Sequence, residues 1–211
     1  MFKSFFPNPR LFFPSLLLWA TFSITIWYLF NDDLGAILNL NTTQQPPVIG
    51  LGHFVTDSFL LLYLYYTVSV LIFAGYWMIF SPHPWQLWSI LGSAGILFST
   101  YFSVQVSVAI NNWRRPFFVT VQNALSAETS VPVSEMYHLI FIFAQIAFLA
   151  IAVFVLTRFF ISHYIFRWRT AMNEYYTGYW KELRHIEGAS QRIQEDTMRF
   201  ASIMEGLGVA M

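Results

Sequence analysis

An all-α, polytopic helical membrane protein is what this sequence predicts, and three observations predict it. Hydrophobic residues make up 56% of the 211 residues and charged residues only 10%, against about 25% charged in a soluble domain. Between Leu34 and Trp113 the sole charged side chain is Asp57. The charge that exists is concentrated late. Residues 158–200 carry seven of the eleven basic side chains (Arg158, Arg167, Arg169, Lys181, Arg184, Arg192, Arg199) and five acids (Glu174, Glu182, Glu187, Glu195, Asp196). Paired charges do nothing for a membrane anchor, so this stretch should carry a specific task.

The elements follow in order. Residues 1–10 are short, basic and punctuated by Pro7 and Pro9. Residues 11–30 hold no charge and are long enough for one crossing, since about 20 helical residues span about 30 Å of hydrocarbon. A cleaved leader would be shorter and end in a small-x-small site, whereas Asn31-Asp32-Asp33 follows here. Residues 31–56 read as loop, broken by Pro46-Pro47 and by Gly50 and Gly52, with a glycosylation-type triplet at Asn41-Thr42-Thr43. Residues 58–80 form the second span. Ser81-Pro82-His83-Pro84 is a tight connection, because prolines stop helices and extend the residue before them. Residues 85–110 form the third span, residues 111–134 a polar loop with Arg114, Arg115 and Pro116, and residues 137–160 the fourth span.

Beyond the fourth span, Phe160, Tyr164, Trp168, Ala171, Tyr175 and Tyr179 recur at helical spacing, so that helix should continue out of the membrane. A turn at Glu187-Gly188 then leads into a second helix from Ser190 onward, with Ile193, Phe200, Met204, Leu207 and Met211 as its apolar face. Residues 161–205 thus read as a cytoplasmic helical hairpin. Gly206 to Met211 reads as the entry to a further span, which marks the chain as the N-terminal part of one transmembrane domain. Basic residues near span ends set orientation. With Lys3, Arg10, Arg158, Arg167 and Arg169 inside, only Arg114 and Arg115 lie outside.

Candidate chemistry is sparse. There is no cysteine, hence no disulfide, thiolate metal site or cysteine nucleophile. No phosphate-binding Gly-rich loop and no Gly-x-Ser-x-Gly elbow is present, and His185-Ile186-Glu187 is not a zinc motif. These absences argue against an enzyme, a cofactor and a metal, and zero net charge argues against a nucleic-acid partner. Glu195, Arg199, Ser202 and Glu205 share one side of the last helix. They read either as a solvated face with an i,i+4 pair or as a carboxylate ladder facing a water-filled cavity, where partial desolvation would let a carboxyl group take up and release protons. His138 and Gln145, seven apart on the fourth span, either line a pathway or bond a neighbouring helix.

Several blocks carry a resemblance: FKSFFPNP at the start, SPHPWQLWSILG before the third span, SVAINNW after it, FFISHYIFRWRTAMNEYY, and LRHIEGASQRIQEDTMRFA. Together they resemble the SbmA/BacA family of bacterial inner-membrane peptide transporters. The resemblance implies the membrane fold of ABC exporters without their nucleotide-binding domain. It also implies a homodimer that imports peptides and peptide antibiotics on the proton gradient. It directs attention to Glu174, Glu187, Glu195 and Glu205 as proton-coupling candidates, with Arg199 and Ser202 beside them. The charged turn at residues 186–190 is similar to the loop through which ABC exporters couple to their ATPases, so a membrane domain served by a separate ATPase is the competing reading. Arg114 and Arg115 depart from the family pattern and put the choice of cationic substrates in question.

Overall fold

The structure, a computed structural model, describes residues 1–40, 47–126 and 132–210. The triplet at Asn41 lies outside the described residues. Among the described residues six α-helices follow one another: α1 (Pro9–Ile37), α2 (Asp57–Phe80), α3 (Ser93–Leu125), α4 (Val133–Gly178), α5 (Trp180–Leu183) and α6 (Ala189–Ala210). A π-helical stretch, Leu87–Gly92, leads into α3. All four expected spans are present as long apolar helices.

Two compact units divide these elements. The first comprises Met1–Thr25, Thr67–Phe98 and Leu156–Met211, and the second Ile26–Tyr66 and Ser99–Val155. The core of the first unit is aromatic: Phe5, Phe6, Phe12, Phe73, Trp77, Tyr164 and Trp168 pack with Ile90, Ile161, Ile165 and Met172. The N-terminal segment, which the sequence shows only as short, basic and proline-punctuated, is the centre of this core. Phe5 is fully buried, stacks on Trp168 at 5.1 Å and meets Tyr164 edge-on at 5.3 Å. Asn8 makes this entry possible. It takes a positive φ of 32°, which asparagine tolerates better than most residues. Its carbonyl then accepts the amides of Leu11 and Phe12, and Pro9, needing no amide partner, opens α1. Along the apolar helices the few polar groups satisfy one another. Trp19 Nε1 donates to Ser69, Ser23 and Ser69 share a hydroxyl bond, and Trp77 Nε1 donates to Ser15 Oγ.

The second unit packs Phe54, Val106, Ala109 and Ile146. A 3-10 turn, Leu51–Val55, places Phe54 against Phe102, ring to ring at 4.9 Å. Trp113 donates Nε1–H to the Leu139 carbonyl at 2.7 Å, stacks on Phe117 and packs tilted against Phe143, both at 4.6 Å.

Two loop expectations are corrected. Residues 111–125 are the continuation of α3 rather than loop. Asparagine and arginine are admissible in helices, and Trp113 and Phe117, one turn apart, supply the packing that holds this segment helical. Pro116 sits inside the helix, and Arg114 and Arg115 are exposed on it. Likewise α1 runs through Asn31-Asp32-Asp33 to Ile37 before ending near Asn39, whose φ is 54°.

The apolar helices have little to bury themselves in. Only 6% to 17% of each span window is buried within the chain, and Leu17, Leu18, Ile79 and Phe148 are 70% to 86% exposed. Continuous apolar surface of this extent belongs against lipid or protein. Backbone polar groups satisfied within each helix make lipid contact possible. At about 1.5 Å per residue α4 is about 69 Å long, more than twice the hydrocarbon thickness of about 30 Å. It therefore runs on well beyond a single crossing.

Candidate functional site

The charged end of α4 turns back through α5 and the positive-φ Gly188 (75°) into α6. The return helix packs antiparallel along α4. Phe200 meets Trp168 edge-on at 4.8 Å, Ser162 donates Oγ–H to Glu205 Oε1 at 3.2 Å, and Gly208 lies against Ile161. A Cβ on Gly208 would fall 2.6 Å from an Ile161 methyl, so glycine is what permits the close approach there. Phe200 and Met204 pack on the aromatic core as expected, whereas Leu207 is 58% exposed. Met211 lies outside the described residues.

Toward the turn, α4 and α6 leave a groove of about 440 Å³, lined among others by Arg169, Asn173, Thr177, Gln194 and Thr197. The lining is polar apart from Phe166, Ile193 and the rings of Tyr176 and Trp180. Thr197 is buried, and its hydroxyl is spent on the Ile193 carbonyl at 2.8 Å.

The four glutamates occupy different settings. Glu174, on α4, accepts the indole N–H of Trp85 at 3.1 Å. Glu205 faces Ser162. Glu195 accepts the Gln191 amide at 2.8 Å. This bond stands in place of the expected i,i+4 pair with Arg199: among the described residues no ion pair joins the two. Glu187 is exposed in the turn before α6. Glu195, Arg199, Ser202 and Glu205 are all exposed on α6. His138 is exposed and Gln145 half-buried, beside the buried Leu139 and Ile146 in the second unit. Among the described residues no group of three acids or histidines is placed to hold a metal ion.

Sequence reasoning missed the partners of these acids. Trp85, Ser162 and Gln191 carry no motif. Gln191 precedes Glu195 by one helical turn and was the legible case; the other two require the tertiary pairing. It also missed the cluster under the 81–84 connection. His83 Nδ1 accepts the Trp85 amide at 3.3 Å, and the Gln86 side chain caps the His83 amide at 3.0 Å. Burial pushes His83 below its ordinary 6.5, a hydrogen bond to the Lys3 backbone pulling the other way. A histidine held low binds fewer protons folded than unfolded. The stability it contributes is present above pH 6.5 and is lost as pH falls toward the lowered value.

Four long apolar helices with exposed aliphatic faces, and a charged helical hairpin hung from the last of them, define an α-helical membrane protein built on several apolar helices. The chain belongs to the SbmA/BacA-like family, a family of transporters, whose model matches residues 82–211. That match begins at the proline-rich connection and takes in α3, α4, α5 and α6. The aromatic N-terminal segment lies before it.

Proposed function

We propose that this protein is a proton-driven importer of peptides and peptide antibiotics in the bacterial inner membrane, working as a homodimer. The family match over residues 82–211 carries the reading. Two features of the hairpin support it. Its carboxylates, Glu174, Glu187, Glu195 and Glu205, stand on or between the helices that project beyond a single crossing. Three of them, Glu174, Glu205 and Glu195, accept hydrogen bonds from neutral donors, Trp85, Ser162 and Gln191. In this reading the glutamates carry protons, while His138, Gln145, Arg199 and Ser202 line the pathway. Arg114 and Arg115, exposed on α3, bias the outer face against the most cationic peptides.

Cells expressing the full-length protein should accumulate a labelled cationic peptide, and a protonophore should abolish the accumulation. Uptake that survives the protonophore and follows ATP would instead support a membrane domain served by a separate ATPase, the reading that the charged turn before α6 keeps in view.

The proposed orientation puts both described ends inside. A single cysteine at Ser190 should resist a membrane-impermeant thiol reagent added to intact cells. One at Ser126, exposed at the end of α3, should react. Labelling at Ser190 from outside contradicts the orientation.

A further inference from the structure

The turn Leu51–Val55, between α1 and α2, holds a histidine in an unusual setting. The His53 ring packs edge-on to Phe59 at 4.9 Å and to Phe54 at 5.3 Å. Its Nε2 atom is sealed from solvent with no hydrogen-bond partner. Buried polar atoms are nearly always paired, and leaving one unpaired costs about 1–3 kcal/mol. The fold therefore tolerates a penalty here that a phenylalanine at position 53 would avoid.

The surroundings are polar. Gln105 on α3 hydrogen-bonds the ring and favours its charged form. The same amide interacts with Tyr101, one turn earlier, and Tyr101 in turn is coupled to Tyr63 on α2. Gln105 thus faces His53 from α3, with Tyr101 beside that amide and Tyr63, on α2, near Tyr101. Asp57, which opens α2 four residues on, is the acid nearest in sequence. The contact from α4 to this turn is apolar, an Ile142 methyl 3.2 Å from where a Cβ on Gly50 would stand.

We propose that His53 is a proton-binding site, and that taking up a proton releases the Leu51–Val55 turn from α3. The inference rests on the proposed function, which puts this turn on the outer face, where an importer meets the acidic side of the gradient. The neutral ring has one N–H donor and one bare nitrogen. Protonation of the bare nitrogen gives an imidazolium with two donors; Gln105 is hydrogen-bonded to the ring and can take one, but the sealed Nε2 has no partner. The ring must then turn to find a second acceptor or swing out to water. Either movement pulls on Phe54, its neighbour, which is buried against Phe102. Burial agrees with this, holding His53 below its ordinary 6.5 against a smaller opposing effect of Gln105.

Two readouts test it on the full-length protein. The first is the titration of the His53 ring by NMR with labelled histidine, assigned by its disappearance in His53→Gln. A midpoint below the ordinary 6.5 is expected, and a midpoint at or above that value overturns the proposal. The second is the ratio of peptide uptake at external pH of about 5.5 to that at about 7.5, a window that brackets histidine titration. His53→Phe keeps the packing and His53→Gln keeps a polar side chain, and neither titrates. Both should bring the ratio down toward one. A wild-type ratio in both variants overturns the proposal. A wild-type protein that takes up no peptide at either pH contradicts the proposed function instead, and the ring titration then decides the His53 site by itself.

Discussion

Glu205→Gln in the full-length protein is expected to reduce proton-driven peptide uptake to background. A loss of about tenfold or more follows if the cycle needs a titratable group at this position, because an amide cannot take up and release the proton that a carboxylate relay passes on. The substitution is chosen for what it leaves alone. Glutamine retains the Oε1 acceptor that takes the Ser162 hydroxyl at 3.2 Å, so the register of α6 on α4 survives. Trp168 on Phe200 and Ile161 on Gly208 hold the same register independently. Membrane insertion and peptide binding should therefore persist while transport fails. Uptake by Glu205→Gln at the wild-type rate, with the wild-type dependence on external pH, would return the stripe on α6 to the status of a solvated helix face.

Phe5→Ala should produce the largest loss of stability of any single change in the N-terminal segment. Phe5 is fully buried and contacts Phe6, Trp85, Tyr164 and Trp168. Removing a buried phenylalanine side chain costs about 3–5 kcal/mol, from lost burial and the cavity left behind. The cavity would open beneath Trp168, the residue on which Phe200 of α6 rests, so the hairpin should loosen with it. Thermal unfolding of the purified protein in detergent reads the effect. Phe5→Leu, which fills more of the space, should lie between the variant and the wild type. An alanine variant that melts with the wild type would mean that the segment is not part of the core.

How much of this was legible in the sequence depends on which physical signal each part used. Uninterrupted apolar stretches announce membrane helices because length and lack of charge are sufficient, and all four spans appear where hydropathy put them. The helical run Tyr164, Trp168, Ala171 was equally readable, and all three are buried on one face. What misled was the local meaning of breakers. Pro116 and the arginine pair looked like a loop, yet the packing of Trp113 on Phe117 and Phe143 outweighs them. The segment FKSFFPNP was opaque for a different reason. Its phenylalanines have no periodicity of their own, and they find their place only when Asn8 turns the chain and α4 supplies Trp168. Likewise the glutamates could be chosen from the sequence, but the indole of Trp85 and the hydroxyl of Ser162 were beyond reach, lying 89 and 43 residues away.

Whether the proton gradient alone drives peptide import, as proposed, is decided with purified full-length protein in liposomes, acid outside, without ATP and with a labelled cationic peptide in the outer medium. Peptide is expected to accumulate inside while the gradient lasts, and accumulation to cease when an ionophore collapses it. Absence of accumulation under the gradient, with uptake restored only when an ATPase and ATP are supplied, would contradict the proposal.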